Sequence, residues 1–218
     1  MNSILKKRRF VCFLLSLLCM SSFVVAQNVI AVLDKAASIY EESNGLTVYF
    51  TMSLRSEKQQ VSEGFDGVMN IKGEKFVLKT PDMVVWFDGK SQWTYLEKNE
   101  EVSVTTPNEE EVQMVNPTMF LRSYKKGFKV AYKGESTAFN GKTCLDIELT
   151  PKKKSDIDVI ILQIEKKTNI PASITIETKQ GICSTIRIGQ MKTGVNQPDS
   201  YFVFDEKEYP NVEIVDLR

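Results

Sequence analysis

The sequence contains no histidine. That absence removes Ser-His-Asp and Cys-His nucleophilic systems and every imidazole-held metal site. Cysteine is scarce: Cys12 and Cys19 fall near the N-terminus, leaving Cys144 and Cys183 for the rest of the chain. There is no Cys-x-x-Cys pair, no glycine-rich phosphate loop and no Asp/Asn ladder of the calcium-loop type. An excess of positive charge is missing too, with 28 Lys+Arg against 28 Asp+Glu. A nucleic-acid binder needs a basic face to replace counterions, so that partner is not expected. Long apolar runs are absent after the first 26 residues.

Those first residues, "MNSILKKRRF VCFLLSLLCM SSFVVAQ", have a basic start, an apolar stretch and small residues, with Val24 and Ala26 before Gln27. The pattern is that of a secretory signal peptide over 1–26, too short to span a bilayer. Leu18 precedes Cys19 where a lipobox takes Gly, Ala or Ser, which argues against lipid attachment at that cysteine. Removing 1–26 takes four basic residues and no acidic ones, leaving a net charge of −4. Residues 27–218, with no low-complexity stretch or linker, read as a single domain outside the cytoplasm. Cys144 and Cys183 then sit in an oxidising compartment, and whether they bond depends on strand order.

Along that segment, "NVIAVLDKAASIYEESNG" (28–45) spaces Val29, Val32, Leu33, Ala36 and Tyr40 as the stripe of an amphipathic helix, with Gly45 as its stop. The period then changes to two. Leu46, Val48, Phe50, Met52 and Leu54 share one face of a strand. Further strands are expected at 64–72, 74–80, 100–106, 128–134, 143–150, 158–166, 172–179, 182–190 and 201–205. "VVWFDGKSQWTYL" (84–96) reads as a hairpin turning on Asp88-Gly89, which places Trp86 opposite Ser91 and leaves apolar residues on both faces. The acidic opening and the Lys125-Lys126-Gly127 ending of 107–128 fit helix, with Pro117 splitting it into two pieces. The sum is a mainly β (α+β) architecture: about eleven antiparallel strands, one leading helix and one helical insertion. Such a sheet curls.

Chemistry-bearing constellations are missing. Glu100-Glu101, Glu109–Glu111, Asp156 and Asp158 fall in turns or at a helix start, where solvation and dipole capping explain them. No catalytic residue, metal ligand or cofactor is assigned, and no enzyme is expected. Lys152–Lys154 and Lys125-Lys126 read as solvated loop ends or as a docking surface. Methionines spread over strands and insertion suit either a plain core or a surface adapting to varied acyl chains.

The order of pieces resembles a known family. A signal peptide, a leading helix and "GLTVYFTMSL" are followed by "GFDGVMNIKGEKFVLKTPDMVVWFDGKSQWTYLEKNEEVSV", "NPTMFLRSY" and a closing "YPNVEIVDLR". These are similar to the LolA family of periplasmic lipoprotein carriers, nearest to the version in Bacteroides-type bacteria. The resemblance implies an unclosed antiparallel β-barrel of about eleven strands with a helical lid over an apolar cavity. It implies a soluble monomer in the periplasm that carries lipoprotein acyl chains from an inner-membrane lipoprotein-releasing transporter to an outer-membrane receptor. A lipid- or lipoprotein-binding regulatory sensor and an envelope-assembly binding module are alternatives on the same fold.

Cavity positions expected on this reading are Phe50, Met52, Leu54, Met69, Trp86 and Trp93, with Leu162, Ile164, Ile174 and Ile176 from the later strands. Lid positions are Val112, Val115, Pro117, Met119, Phe120 and Leu121. One departure stands out. Where family members carry an Arg that bonds the lid backbone, this sequence has Gly73, so the latch is absent or made by Lys72 or Lys75.

Overall fold

A computed structural model describes residues 29–218 apart from 57 and 59. The signal peptide expected over 1–26, the cut before Gln27 and the first helical position Asn28 lie outside the described residues. Helix α1 (29–42) buries Val29, Leu33, Ala36 and Tyr40, the stripe its spacing predicts. It ends three residues before Gly45. Gly45, at φ +112°, serves a close approach instead: a Cβ there would stand 2.0 Å from the Val195 carbonyl oxygen.

Twelve strands form one open sheet: β1 (Leu46–Ser56), β2 (Val61–Lys72), β3 (Lys75–Lys79), β4 (Met83–Phe87), β5 (Gln92–Leu96), β6 (Glu101–Thr105), β7 (Phe128–Thr137), β8 (Thr143–Pro151), β9 (Ile157–Glu165), β10 (Pro171–Thr178), β11 (Ile182–Thr193) and β12 (Glu213–Asp216). The order is β12-β6-β5-β4-β3-β2-β1-β11-β10-β9-β8-β7. Every pairing is antiparallel except β12 with β6. The sheet does not close, and β7 and β12 are its edges. This is the unclosed half-barrel the resemblance implies, built on the curling antiparallel sheet that the periodicity predicts.

Connectivity dictates what covers the sheet. β6 and β7 lie near opposite ends of the strand order, so the segment between them crosses the concave face. It forms α2 (Glu109–Val115), a 3₁₀ turn Pro117–Met119 and α3 (Phe120–Gly127). Asn108 and Glu111 close a capping box at the start of α2. Asn116, ahead of Pro117, leaves the helical region with φ −119° and ψ 83°, which ends α2 and separates the two helices, in keeping with the clash that bars helical backbone before proline. The concave side holds α1, α2, α3 and the main core, including Phe76, Phe120, Tyr124, Leu149 and Ile160.

The segment after β11 returns across the convex face to reach β6. Here the structure corrects the expected strand at 201–205. Residues Asp199–Phe202 form a 3₁₀ turn after Pro198, and the last strand is β12 instead. Phe202 and Phe204 bury themselves against Val77, Trp86, Val102 and Val104 in a second core. This strap answers the question posed by a hairpin apolar on both faces. Val85 and Phe87 face the main core, while Trp86 faces the strap. The hairpin register also differs from expectation: Trp86 pairs with Trp93 and Phe87 with Gln92, leaving a four-residue turn, 88–91. The Asp88 carboxylate accepts from the Lys90 and Ser91 backbone N–H groups and fixes that longer turn.

Cys144 and Cys183 are free thiols. Cys144 sits opposite Glu165 at one end of β9, whereas Cys183 pairs with Glu177, itself opposite Val159 near the other end. Six residues of strand, roughly 20 Å at 3.3 Å per residue, and two intervening strands keep them apart.

Candidate functional site

Between the concave face and the helices lies a cavity of about 250 Å³. Its floor comes from neighbouring strands whose alternate residues point inward: Val48, Phe50 and Met52 of β1, Phe65 and Met69 of β2, and Leu78 of β3. Ile174 and Ile176 of β10 with Ile186 and Ile188 of β11 continue it on the other side. Met83 closes one flank, and Met114, Val115 and Thr118 form the roof. Among the described residues only Thr80, Thr118 and Ser184 bring hydroxyls to this lining.

Exposure grades along β1. Leu46 and Val48 are buried beneath α1, while Phe50, Met52 and Leu54 are only half-buried. One end of the hollow is therefore sealed by core, and the other opens toward the β1–β2 and β10–β11 turns. Met114, 45% exposed on the roof, marks the same opening. Among the described residues no group of three or more Cys, Asp and Glu is placed to hold a metal ion. No described helix is long and apolar enough to cross a membrane.

Of the positions expected to line a cavity, Phe50, Met52, Met69, Ile174 and Ile176 meet in it, joined by Val115 from the expected lid. Leu54 shares their face but lies beyond the lining. Leu162 and Ile164 point to the same side and are fully buried in the core. Val112, Phe120 and Leu121 are likewise core residues that anchor the roof from below, with Met119 packed beside them. Pro117 begins the 3₁₀ turn between the roof helices. Trp86 and Trp93 are corrections. Both lie on the convex face, with the Trp86 ring centroid 5.4 Å from Phe204 and 5.7 Å from Tyr209. A one-residue change of face inverts a strand, and the strap supplies the cover that made the outward face apolar.

Phe65, Leu78, Met83, Met114, Ile186 and Ile188 escaped the expected set. Phe65 shares parity with Met69, and Met83 with Val85, so the period of two carried the signal once one inward residue per strand is known. Met114 and Thr118 had no such signal, because a short helix offers several possible faces.

The roof is fastened at α3. The Tyr124 hydroxyl donates to Asp34 of α1 at 2.8 Å, and Lys125 Nζ pairs with the same carboxylate at 2.6 Å. These two contacts, the Lys125 hydrogen bond foremost, hold the Asp34 carboxyl below its usual range. Gln113, buried, donates to Ser123 and joins α2 to α3. Neither Lys72 nor Lys75 reaches the roof. Both pair with Asp199 on the strap, at 3.1 and 2.9 Å, and Lys72 also donates to the Gln197 carbonyl. Gly73, at φ +59°, lies in the β2–β3 turn between them. The two lysines hold the convex strap and not the roof.

The fold resembles that of an uncharacterized conserved protein from Thermus thermophilus, with a TM-score of 0.57 at 12% identity over 88% of this chain and 99% of that one. A LolA superfamily protein from Nitrosomonas europaea aligns at a TM-score of 0.46 and 12% identity, covering 80% and 97%. An uncharacterized protein of Methanocaldococcus jannaschii is 27% identical over 135 residues, 61% of this chain. This chain spans 38% of the length of that relative. The family model described as outer membrane lipoprotein carrier protein LolA matches residues 20–181, stopping where β11 begins and leaving the strap outside. With most of its length matched and the half-barrel in place, the chain belongs to the LolA family.

Proposed function

We propose that this protein is a periplasmic carrier that shields lipoprotein acyl chains in the roofed cavity between the inner and outer membranes. A lipoprotein-releasing transporter on the inner side and a receptor on the outer side are the partners this role requires, and the carrier works as a monomer. The observation that carries the reading is the cavity: apolar walls, a blind end and an open end, under a roof broken by the 3₁₀ turn Pro117–Met119. Its ~250 Å³ exceeds the ~150 Å³ of an apolar cavity that stays dry and takes up a benzene-sized ligand. It remains well short of a multi-chain lipid anchor. Full loading requires Met114, Val115 and Thr118 to move off the sheet.

The energetics suit a carrier. Each CH₂ withdrawn from water is worth about 0.8 kcal/mol, so half of one long acyl chain offsets the loss of several roof contacts. Transfer needs no reaction, only a receptor that binds the chains better. The residues that would touch the acyl chains are Phe50, Met52, Met69, Ile174, Ile176 and Val115.

Native mass spectrometry of the protein purified from a Gram-negative periplasm tests this, alongside titration with a fluorescent lipopeptide. Stoichiometric acylated cargo, lost in Phe50→Asp and Met52→Asp variants that remain folded, is the expected result. A ligand-free mass and no lipopeptide uptake would remove the proposal.

A further inference from the structure

Two lysine clusters far apart in sequence are joined by the fold. The Lys152 backbone N–H donates to the Gly127 carbonyl at 2.8 Å, and its Nζ donates to the Lys125 carbonyl at 2.8 Å. These bonds cap the end of α3 and set the β8–β9 loop beside it. Lys125, Lys126, Lys129, Lys152, Lys153 and Lys154 thereby form one surface, and all six are exposed. Lys125 pairs with Asp34. Among the described residues Lys126, Lys129, Lys153 and Lys154 are in no ion pair. Carboxylates flank the patch without neutralising it. Glu110 accepts from Ser155, and Asp156 and Asp158 close the far side of the loop.

The patch sits at the open end of the cavity. Lys179, in the turn that follows the lining residue Ile176, donates through its backbone N–H to the Asp156 carbonyl and through Nζ to the Ser155 carbonyl. The β8–β9 loop and the β10–β11 turn are thus neighbours on the rim. A protein of net charge −4 after residue 26 thus carries a cluster of free cations where its hollow opens.

We propose that this lysine cluster docks the protein on an anionic lipid surface, presenting the open end of the cavity to the acyl layer. The inference rests on the carrier reading and names the surface on which that site works. Composition favours a membrane over an acidic protein. The cluster is all lysine, with no arginine fork for bidentate recognition. Nor does it contain an aromatic anchor of the kind that centres protein interfaces. Hydrated point charges on flexible stems suit a diffuse layer of phosphate headgroups, where each lysine near the surface strengthens binding about fivefold.

The test is co-sedimentation of the protein with phosphatidylcholine vesicles, alone or containing phosphatidylglycerol, at low and high salt. Binding to the anionic vesicles only, weakened by salt, is expected. The triple variant Lys152→Ser/Lys153→Ser/Lys154→Ser should lose affinity by roughly a hundredfold on the same per-lysine figure. A control, Lys90→Ser/Lys98→Ser/Lys207→Ser, removes equal charge elsewhere and should bind as the parent does. Equal loss in both variants, or equal binding to neutral vesicles, would overturn the proposal. So would retention on polyglutamate without vesicle binding, which would assign the patch to an acidic protein. Lipopeptide uptake in vesicle-free solution is read in parallel. Its failure removes the carrier reading, whereas its persistence in a triple variant that no longer sediments isolates the docking step.

Discussion

The tip of the Phe50 ring fills the space over Gly67, its direct partner across β1 and β2. A Cβ at Gly67 would stand 2.4 Å from Phe50 Cζ and 2.9 Å from both Cε atoms. Gly67 does not occupy the left-handed region, so its lack of a side chain is a matter of space. The bare backbone lets an aromatic ring lie along the cavity floor rather than stand in the cavity. Gly67→Ala should push that ring into the hollow, where it competes with ligand. Lipopeptide affinity is expected to fall several-fold while the melting temperature changes little, since alanine also lowers the entropy glycine loses on folding, worth about 0.5–1 kcal/mol. Unchanged affinity in a titration would show that the ring is not a gate on cavity volume.

The two aromatic sets should separate stability from binding. Phe202, 1% exposed beneath the strap, should cost about 3–5 kcal/mol when changed to Ala, by lost transfer energy and residual cavity. Trp86→Ala acts on the same convex core and should also destabilise. Neither touches the hollow, so ligand affinity of the folded fraction should hold. Phe50→Ala should do the reverse, because Phe50 is only half-buried and lines the cavity. Denaturant unfolding paired with lipopeptide titration reads both axes. Loss of binding in Trp86→Ala with stability intact would return that tryptophan to the site.

How far the molecule was legible in its sequence follows from these same residues. The period of two placed nearly every strand, and the helical stripe from Val29 to Tyr40 is buried as spaced. Faces failed at Trp86 and Trp93 because periodicity shows that both sides of a strand are apolar without showing which cover is helix and which is strap. The strap was illegible for a related reason. Its aromatic residues at 201–204 alternate like a strand, yet Pro198 turns the chain and the sheet positions beside them are already filled. Roof residues lining the cavity depend on how α2 rolls about its axis, which long-range contacts with Ser123 and Ser155 decide.

Tyr40 offers a stabilising substitution. Its ring packs in the main core, and its hydroxyl is buried without a hydrogen-bond partner among the described residues. An unsatisfied buried polar group costs about 1–3 kcal/mol. Burial accordingly pushes its phenol well above the ordinary range. Tyr40→Phe should therefore raise stability by about 1 kcal/mol, some 2–4 °C in melting temperature for a chain of this size. A lower melting temperature would mean that the hydroxyl is satisfied by water in solution.

Acid should act on this protein through carboxylates alone, because no histidine titrates between pH 5 and 8. Glu165 is buried, and burial by itself would raise its pKa, but bonds from Lys142 at 2.6 Å, Thr168 and Asn140 outweigh that and leave it lowered. Asp34 is lowered by Lys125 and Tyr124. A carboxylate whose folded pKa lies below its unfolded value contributes stability that is complete above the unfolded value and is lost as pH falls through the folded one. Stability should therefore be flat from neutral pH down to about 5 and decline below about 4.5, the ordinary carboxylate range. Asp34 is half-exposed, so its share in overall stability is small. Its local effect is not small, since it is the point where α3 meets α1. Measured against the intrinsic exchange rate at each pH, the α3 amides should lose protection below pH 4 in the parent, and Asp34→Asn should show that lost protection already at neutral pH. Lys142→Met, which leaves Glu165 buried without its cation, should cost about 1–3 kcal/mol at neutral pH, and that deficit should shrink as acid protonates the carboxyl and removes the charge that Lys142 answers. A Lys142→Met deficit that persists undiminished at pH 3 would place the role of Lys142 in packing and not in charge.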